Sequence, residues 1–148
     1  MEAIIFIGIQ ATGKSTFYTQ KFFKTHVRIS MDLLNTRNKE KRFLETCHSV
    51  QQRYVIDNTN PSIEERSGYI KNAKLNKFKI IGYYFQSKLN EAITRNSNRT
   101  GKENISEIGI KGTFNRLELP SYGEGFDELY YVELTNNGFI VKSWQNEI

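Results

Sequence analysis

The most constraining feature of this sequence is the octapeptide GIQATGKS at residues 8–15, which directly follows an apolar run at residues 3–7. A glycine, four residues and then Gly-Lys-Ser is the spacing of a loop whose backbone N–H groups surround phosphate oxygens. Such a loop lies between a buried strand and a helix, and the positive end of that helix adds to the attraction for anions. An ordinary strand-to-helix turn is the alternative. The motif predicts a phosphate-binding loop, hereafter the phosphate loop.

The order of side chains in the phosphate loop assigns the expected contacts. Lys14 is expected at the β- and γ-phosphate oxygens and Ser15 on Mg²⁺, while the glycines let the backbone approach the phosphates closely. The residues expected to bind the nucleotide are Gly8, Thr12, Gly13, Lys14, Ser15 and Thr16. The expected cofactors are ATP and Mg²⁺.

Short apolar runs alternate with longer helical patterns, which is typical of a parallel sheet with crossover helices and predicts the α/β class. The predicted strands are residues 3–7, 27–30, 54–57, 78–85 and 130–134, and the predicted helices are residues 14–24, 39–51, 62–75 and 88–98. Ser62, followed closely by two glutamates, is a predicted helix N-cap. Residues 135–141 predict a hairpin into a last edge strand, because Asn-Gly supplies the positive φ angles of such turns.

Composition limits the class of protein. With 148 residues, 38% hydrophobic and 25% charged, the chain is expected to form one domain over residues 1–148. A net charge of +5 favours an anionic partner, although a nucleotide alone satisfies that. No apolar run is long enough to span a bilayer and no basic leader precedes the first strand, so we expect a cytoplasmic protein without a membrane partner. Cys47, the single cysteine, is expected in the core.

Residues 98–119 differ from the rest because they are polar and punctuated by glycines. A segment of this kind between strongly patterned elements is commonly an active-site lid, and we place the lid at about residues 95–119. A mobile surface connection without a role is the alternative.

Two aspartates follow predicted strands, at the sheet edge where α/β proteins bind ligands. Asp32 is placed to accept the proton from an attacking hydroxyl group. It would otherwise be the N-cap of a short helix at residues 33–37. Asp57 closes the third strand and resembles the acid that positions Mg²⁺ through water or Ser15. Its alternative is a turn residue that caps the next helix.

Arg95 and Arg99 are four residues apart, which on a helix places both guanidinium groups on one face. Two permanent cations there suit the migrating charge of a transferred phosphoryl group. A solvated helix face is the alternative. A guanine-nucleotide switch would need an Asn-Lys-x-Asp motif, but residues 76–79 end in lysine.

Together these residues resemble the kinase domain of the polynucleotide 5′-hydroxyl kinases, which occur in end-healing enzymes. The resemblance runs nearly end to end, and its specific strings are residues 55–61 (VIDNTNP) and 95–99 (RNSNR), with Met31-Asp32 and residues 120 and 124–126 as further points. It implies a P-loop kinase fold, with a parallel sheet sandwiched by helices and an α-helical lid. It also implies transfer of the γ-phosphate of ATP to a 5′-OH end of DNA or RNA.

Carried over by position, the resemblance makes Lys14 and Ser15 phosphate and Mg²⁺ ligands, Asp32 the general base, and Arg95 and Arg99 the lid cations. This sequence departs from the pattern of the polynucleotide kinases at two positions. The acid of the third strand aligns with Asp57 or with Asn58, depending on the relative compared.

The second departure concerns the arginine that grips the substrate phosphate three residues after the base. Asn35 stands there, so either Arg37 takes over this substrate contact or the grip differs. These kinases are frequently fused to phosphatase or ligase domains, for which 148 residues leave no room, so separate phosphatase and ligase proteins are expected partners.

Two other functions remain open from the sequence. One is a P-loop kinase that phosphorylates a hydroxyl group of a small metabolite or nucleoside, with Asp32 in the same role. The other is a nucleotide-dependent binding module that hydrolyses ATP without a phosphate acceptor.

Overall fold

The computed structural model describes residues 1–101 and 104–145. Its centre is a six-stranded sheet in the order β2-β3-β1-β4-β5-β6, in which β6 is antiparallel to β5 and the other neighbours are parallel. The strands are β1 Glu2–Ile7, β2 Val27–Ile29, β3 Tyr54–Ile56, β4 Lys79–Phe85, β5 Glu128–Thr135 and β6 Gly138–Ser143. The helices are α1 Lys14–Lys21, α2 Met31–Leu34, α3 Arg37–Val50, α4 Ile63–Leu75, α5 Leu89–Ser97 and α6 Glu107–Arg116.

Helices cover both faces of the sheet, as the alternation of side chains along β1 shows. Ile4 and Phe6 pack with Phe17 of α1 on one face. Ala3, Ile5 and Ile7 lie on the other face, in a core to which α3 contributes Cys47 and α4 contributes Ile70 and Ala73. Buried strands with apolar side chains on both faces are typical of parallel sheets. The expected sandwich and the buried cysteine are therefore confirmed.

The sheet positions a crevice between β1 and β3. These strands pair in parallel, with Ile5 opposite Ile56. The chain leaves β1 toward the face that carries α1, and it leaves β3 toward the face that carries α4. Ligands of open α/β sheets bind at such a divergence, outside the carboxyl ends of the strands. The phosphate loop and Asp57 follow these two strand ends.

Local signals explain most element boundaries. Ser62 caps α4 in a capping box with Glu65, as predicted. Helix α3 begins before the predicted residue 39 because Thr36 caps it, accepting a bond from the backbone N–H of Lys39. The predicted hairpin forms, but Gly138 has the positive φ angle and Asn137 does not. Thr135 pairs with Gly138, so the loop between β5 and β6 has two residues, Asn136 and Asn137.

The lid region contains α5, α6 and their connection, of which residues 102 and 103 lie outside the described residues. The segment predicted to be a lid, residues 95–119, includes the end of α5 and all of α6, a helix that its polar pattern did not reveal; we keep the name lid for α5, α6 and their connection. Ile9 and Ala11 of the phosphate loop form a small apolar core with Ala92 of α5 and Ile110 of α6. The lid helices therefore pack directly on the phosphate loop.

In the described part of the chain, none of the helices has both the length and the apolar character that a membrane span requires.

A buried ion pair attaches α4 to the segment before β5. The guanidinium of Arg66, which is fully buried, donates to both carboxylate oxygens of Glu124 at 2.8 and 3.0 Å. Its remaining donor, Nη1, contacts the carbonyl oxygens of Asn60 and Pro61 at 3.0 and 3.1 Å. Arg66 thus fixes the position of the loop after β3 through the backbone carbonyls of Asn60 and Pro61.

We predict that Arg66→Met lowers the free energy of unfolding by about 3 to 5 kcal/mol, because it leaves the buried carboxylate of Glu124 unpaired. Urea unfolding followed by circular dichroism measures this change. The matched control is Arg116→Met, which breaks the exposed pair of Arg116 with Glu65 at 3.3 Å and should cost less than about 1 kcal/mol. Equal losses in the two variants would contradict the prediction.

Candidate active site

The phosphate loop turns sharply into α1 at Gly13. Gly13 is the N-cap residue of α1 and has a φ angle of 93°, a conformation that strains any residue with a side chain. A Cβ atom there would also lie 2.8 Å from the ring of Phe139 in β6. The backbone N–H of Gly8 donates to the carbonyl of Thr59, and that of Ile9 to the hydroxyl of Ser87. The loop is therefore held by the segments that follow β3 and β4.

Lys14 lies buried inside the loop. Its ammonium group donates to the carbonyl oxygens of Gly8 at 3.0 Å and Ile9 at 2.6 Å. Burial lowers the pKa of Lys14 to about 8, because charged groups are disfavoured away from water. Asp57 and Asp32 oppose this shift and Arg99 adds to it. All three charges therefore lie close enough to the amine to affect its protonation.

Asp57 and Ser15 face each other across the crevice. The hydroxyl of Ser15 donates to Oδ2 of Asp57 at 3.0 Å, and this carboxylate is buried. A third residue joins them: Arg28 of β2 donates from Nε to the same carboxylate oxygen at 2.8 Å and from Nη2 to the hydroxyl of Ser15 at 3.1 Å. A serine hydroxyl, a carboxylate and an arginine thus form one compact cluster. Asp57 does not cap the next helix, because Ser62 does.

The oxygen atoms of this cluster fit Mg²⁺. Magnesium in nucleotide sites is bound by one or two protein oxygen ligands, with phosphate oxygens and water completing an octahedron. Ser15 and Asp57 supply such a pair beside the phosphate loop. No group of three or more His, Cys, Asp or Glu side chains suited to a metal occurs among the described residues, so these two would depend on the phosphates.

The side chain of Asn58 makes its hydrogen bonds outside the cluster of Ser15, Asp57 and Arg28. Its Oδ1 accepts from the backbone N–H of Met31 at 2.9 Å, and its Nδ2 donates to Glu40 at 3.2 Å. Of the two aligned positions in the third strand, the structure places Asp57, and not Asn58, beside Ser15. Asn58 instead connects the loop after β3 to the start of α2.

Asp32 is an exposed residue of α2, and the alternative role as an N-cap is wrong. Ser30 caps this short helix, and its hydroxyl accepts from the backbone N–H of Asp32. The carboxylate is near enough to Lys14 to raise the pKa of the amine. Asp32 is thus available to solvent on the same side of the sheet as the phosphate loop.

The lid arginines reach the phosphate loop by different routes. Arg95 in α5 donates to the carbonyl of Ala11 at 3.3 Å and lies 3.7 Å from Glu91. The helix ends at Ser97, so Arg99 does not share a helical face with Arg95 as expected. Arg99 follows the helix end, with its backbone N–H bonded to Asn96, and its charge lowers the pKa of Lys14. Both arginines nevertheless lie at the phosphate loop.

A side pocket of about 210 Å³ lies between the loop after β3 and helices α3 and α4. It begins at Asn58, the residue after Asp57. It is lined by Arg37, Asn58, Thr59, Asn60, Pro61, Glu65 and Tyr69. Arg37 donates to Glu40 and to the Tyr69 hydroxyl, each at 3.0 Å. The Tyr69 hydroxyl in turn donates to Glu40 at 3.0 Å. The volume is below the roughly 300–1,000 Å³ of a drug-sized site, so the side pocket fits part of a larger ligand.

Sequence reasoning missed three of these residues. For Arg28 the sequence does offer an indication of a special role, because a charged residue stands in the middle of a short apolar strand. Glu40 is buried and accepts bonds from Arg37, Asn58 and Tyr69, yet in sequence it is one of many charged residues of α3. Tyr69 lies on a helix far along the chain, and only the fold brings it to the pocket.

The fold of this chain is P-loop kinase-like, as a comparison with solved structures shows. Kti12 from Chaetomium thermophilum, solved with ADP-AlF3, superimposes with a TM-score of 0.65 at 14% identity, over 98% of this chain and 90% of that one. A gluconokinase from Sinorhizobium meliloti gives 0.61 at 14% identity, over 89% and 82% of the two chains. The predicted P-loop kinase fold is confirmed. No family model matches the chain.

Two curated relatives specify the resemblance further. The bifunctional polynucleotide phosphatase/kinase of Schizosaccharomyces pombe is 28% identical in an alignment of length 131 that covers 84% of this chain and 32% of the relative. A putative bifunctional polynucleotide phosphatase/kinase of Acanthamoeba polyphaga mimivirus is 28% identical in an alignment of length 141 that covers 86% of this chain and 32% of the relative. The resemblance to polynucleotide kinases is confirmed, and the chain spans about a third of the length of these relatives.

We predict that metal-free ADP binding weakens as pH rises above about 8, where Lys14 loses its proton in the ligand-free chain. Phosphate attracts the protonated amine, so the dissociation constant should rise about tenfold per pH unit and binding should take up a proton. The charge of the ligand is constant there, because phosphate titrates near pH 6. Calorimetry in buffers of different ionisation enthalpy measures both effects.

The matched control is Lys21→Met, which removes an exposed lysine from the last turn of α1 and should keep the pH dependence. An affinity that stays constant from pH 7 to 9.5 in the unmodified protein would contradict the role of Lys14.

Proposed function

We propose that residues 1–148 act as an ATP-dependent polynucleotide 5′-hydroxyl kinase domain, transferring the γ-phosphate of ATP to the 5′-OH end of DNA or RNA. The observation that carries this proposal is the convergence of charges on Lys14. A phosphate-binding amine, an exposed carboxylate at Asp32 and a lid cation at Arg99 lie together at one end of the sheet. The names of both curated relatives favour a polynucleotide acceptor over a small metabolite.

The proposed reaction is an in-line displacement. The oxygen of the 5′-hydroxyl group forms a bond to the γ-phosphorus, the bond from the γ-phosphorus to the bridging oxygen breaks, and ADP leaves. Asp32 accepts the hydroxyl proton, a role that its exposure permits. Lys14 leaves the loop carbonyls to bind the phosphates, with backbone N–H groups of Gly8, Thr12, Gly13 and neighbouring residues around them.

Other residues stabilise the charge that moves during transfer. Arg95 and Arg99 approach the phosphate loop from the lid and cannot lose their protons, so they balance the charge on the γ-phosphate oxygens. Ser15 and Asp57 would hold Mg²⁺, and Thr16 lies next to them at the start of α1. When bound, Mg²⁺ supplies a Lewis acid at the phosphate oxygens.

The side pocket is the proposed site for the end nucleotide of the acceptor. It opens beside Asp32, because the backbone N–H of Met31 is bonded to Asn58 in the pocket wall. The Arg37 side chain is 67% exposed although it is held by Glu40, so it presents a fixed cation to an incoming phosphate. We propose that it takes the role of the arginine that Asn35 replaces. Separate phosphatase and ligase proteins would process the same ends.

The function is tested by incubating the protein with γ-labelled ATP and Mg²⁺ and a panel of acceptors: a 5′-OH oligodeoxynucleotide, a 5′-OH oligoribonucleotide, nucleosides and simple sugars. We expect label on the oligonucleotides. Label on small molecules alone would overturn the polynucleotide assignment and support the metabolite kinase. Release of inorganic phosphate with no labelled acceptor would support a nucleotide-hydrolysing module instead.

In this assay we predict that Asp32→Asn lowers kcat by about 10² to 10⁴, because an amide cannot accept the hydroxyl proton. ADP binding should be unchanged, which separates loss of the base from loss of the fold. Glu45→Gln is the control, since it also replaces an exposed carboxylate by an amide but lies on α3 beside Lys41. Full turnover in Asp32→Asn would exclude it as the base.

We predict that Arg37→Ala raises the KM for an oligonucleotide about tenfold or more while the KM for ATP stays constant, because one charged contact to phosphate is worth about 1.5 to 3 kcal/mol. The slope of log KM against log salt concentration should also fall, by about 0.7 for one contact to a single strand. Arg42→Ala removes an exposed arginine of the same helix and is the control. A rise in the KM for ATP instead would place Arg37 at the donor.

A further inference from the structure

The cluster proposed to hold Mg²⁺ already contains a cation, the guanidinium of Arg28. Nε of Arg28 lies 2.8 Å from Oδ2 of Asp57, and its Nη2 lies 3.1 Å from Oγ of Ser15. The two oxygen atoms are 3.0 Å apart. Arg28 therefore contacts both atoms that the sequence motif assigns to the metal.

The carboxylate of Asp57 explains why a cation is needed there. Its side chain is only 2% exposed, and a buried carboxylate without a counter-ion is strongly destabilising. The hydroxyl of Ser15 offers one hydrogen bond but no charge. In the described surroundings of this carboxylate, Arg28 is the cation in direct contact with it. Lys14 is close enough to interact with Asp57, but its ammonium group donates to the loop carbonyls, so the ion pair of Asp57 is with Arg28.

Arg28 and a divalent ion compete for the same place. Mg²⁺ is bound through oxygen lone pairs, and the same lone pairs accept the hydrogen bonds from Arg28. The positive charges of the Arg28 guanidinium and of Mg²⁺ would also repel each other if both contacted the same oxygen atoms. Arg28 can move away, because it lies on the edge strand β2, its side chain is 27% exposed, and Ser15 at the mouth of the cluster is exposed.

We propose that Arg28 is a resident counter-ion of the metal site: its guanidinium neutralises Asp57 in the metal-free chain and leaves Ser15 and Asp57 when Mg²⁺ arrives with the nucleotide. The inference rests on the proposed function only in that a nucleotide brings the metal. Its consequence is that Mg²⁺ alone has little affinity for the nucleotide-free protein. Magnesium occupancy then follows nucleotide occupancy.

The test is thermal unfolding of the nucleotide-free protein in chelator and in millimolar Mg²⁺. The unmodified protein should have the same Tm in both, within about 1 °C. Arg28→Gln should have a lower Tm in chelator, because Asp57 is left unpaired, and Mg²⁺ should raise that Tm by about 3 °C or more. Arg53→Gln, which removes an exposed arginine just before β3, is the matched control and should show no response to Mg²⁺.

Two results would overturn the proposal. One is a Tm of Arg28→Gln that is equally low with and without Mg²⁺, which would make Arg28 a packing residue. The other is stabilisation of the unmodified protein by Mg²⁺ alone to the same extent as the variant. A failure of the unmodified protein to bind ADP with Mg²⁺ would instead overturn the proposed function, and the responses to metal alone would still decide the role of Arg28.

A double variant covers the case in which Arg28→Gln does not fold. Arg28→Gln with Asp57→Asn removes the buried charge together with its partner, which is far less costly than removing one of them. It should fold and should not respond to Mg²⁺. A double variant as unstable as Arg28→Gln would contradict the counter-ion role. Titration of Mn²⁺ followed by electron paramagnetic resonance should show tighter binding to Arg28→Gln than to the unmodified protein, because the uncharged glutamine does not repel the metal.

Discussion

A lysine ammonium group buried in its own loop is the interaction on which the rest of this structure depends. Lys14 donates to the carbonyls of Gly8 and Ile9. Its ammonium group therefore lies inside the phosphate loop, where the backbone N–H groups are expected to bind phosphate. The cost of burying this charge appears as a pKa lowered to about 8. An anion that enters the loop recovers that cost, since it offers the amine a charged partner in place of carbonyls. Burial of Lys14 therefore favours an anion in the loop.

Charges around the loop follow the same logic in the ligand-free chain. Arg28 pairs with Asp57, and Arg95 rests on the carbonyl of Ala11 and near Glu91. Each of these contacts includes one group that the proposed reaction needs, namely Asp57 for the metal and Arg95 for the nucleotide. Binding then exchanges one set of satisfied contacts for another, which lets a crowded set of cations coexist with a stable fold.

The loop after β3 connects the proposed acceptor side to the lid. The carbonyl of Pro61 accepts from Arg66 behind it and from the backbone N–H of Glu118, which follows α6, at 2.7 Å. Glu118 also accepts from the backbone N–H of Ile63 at the start of α4. One short segment thus contacts the lid, the side pocket and, through Thr59, the phosphate loop. Its position is set by backbone carbonyls, whose direction no side-chain pattern reveals.

The likeness to polynucleotide kinases rests on specific strings of residues, 55–61 and 95–99. The sequence by itself also determined the fold class, the phosphate loop and the order of the strands and of helices α1, α3, α4 and α5. These follow from local rules, namely a loop motif of fixed spacing, the period of apolar residues, and caps such as Ser62. The tertiary structure decided which side chains meet. It placed Asp57 and not Asn58 beside Ser15, gave the cap of α2 to Ser30 and not Asp32, and ended α5 before Arg99. It also brought Arg28, Glu40 and Tyr69 from distant elements to the site, because contacts between elements depend on how helices pack on the sheet and leave no period in the sequence.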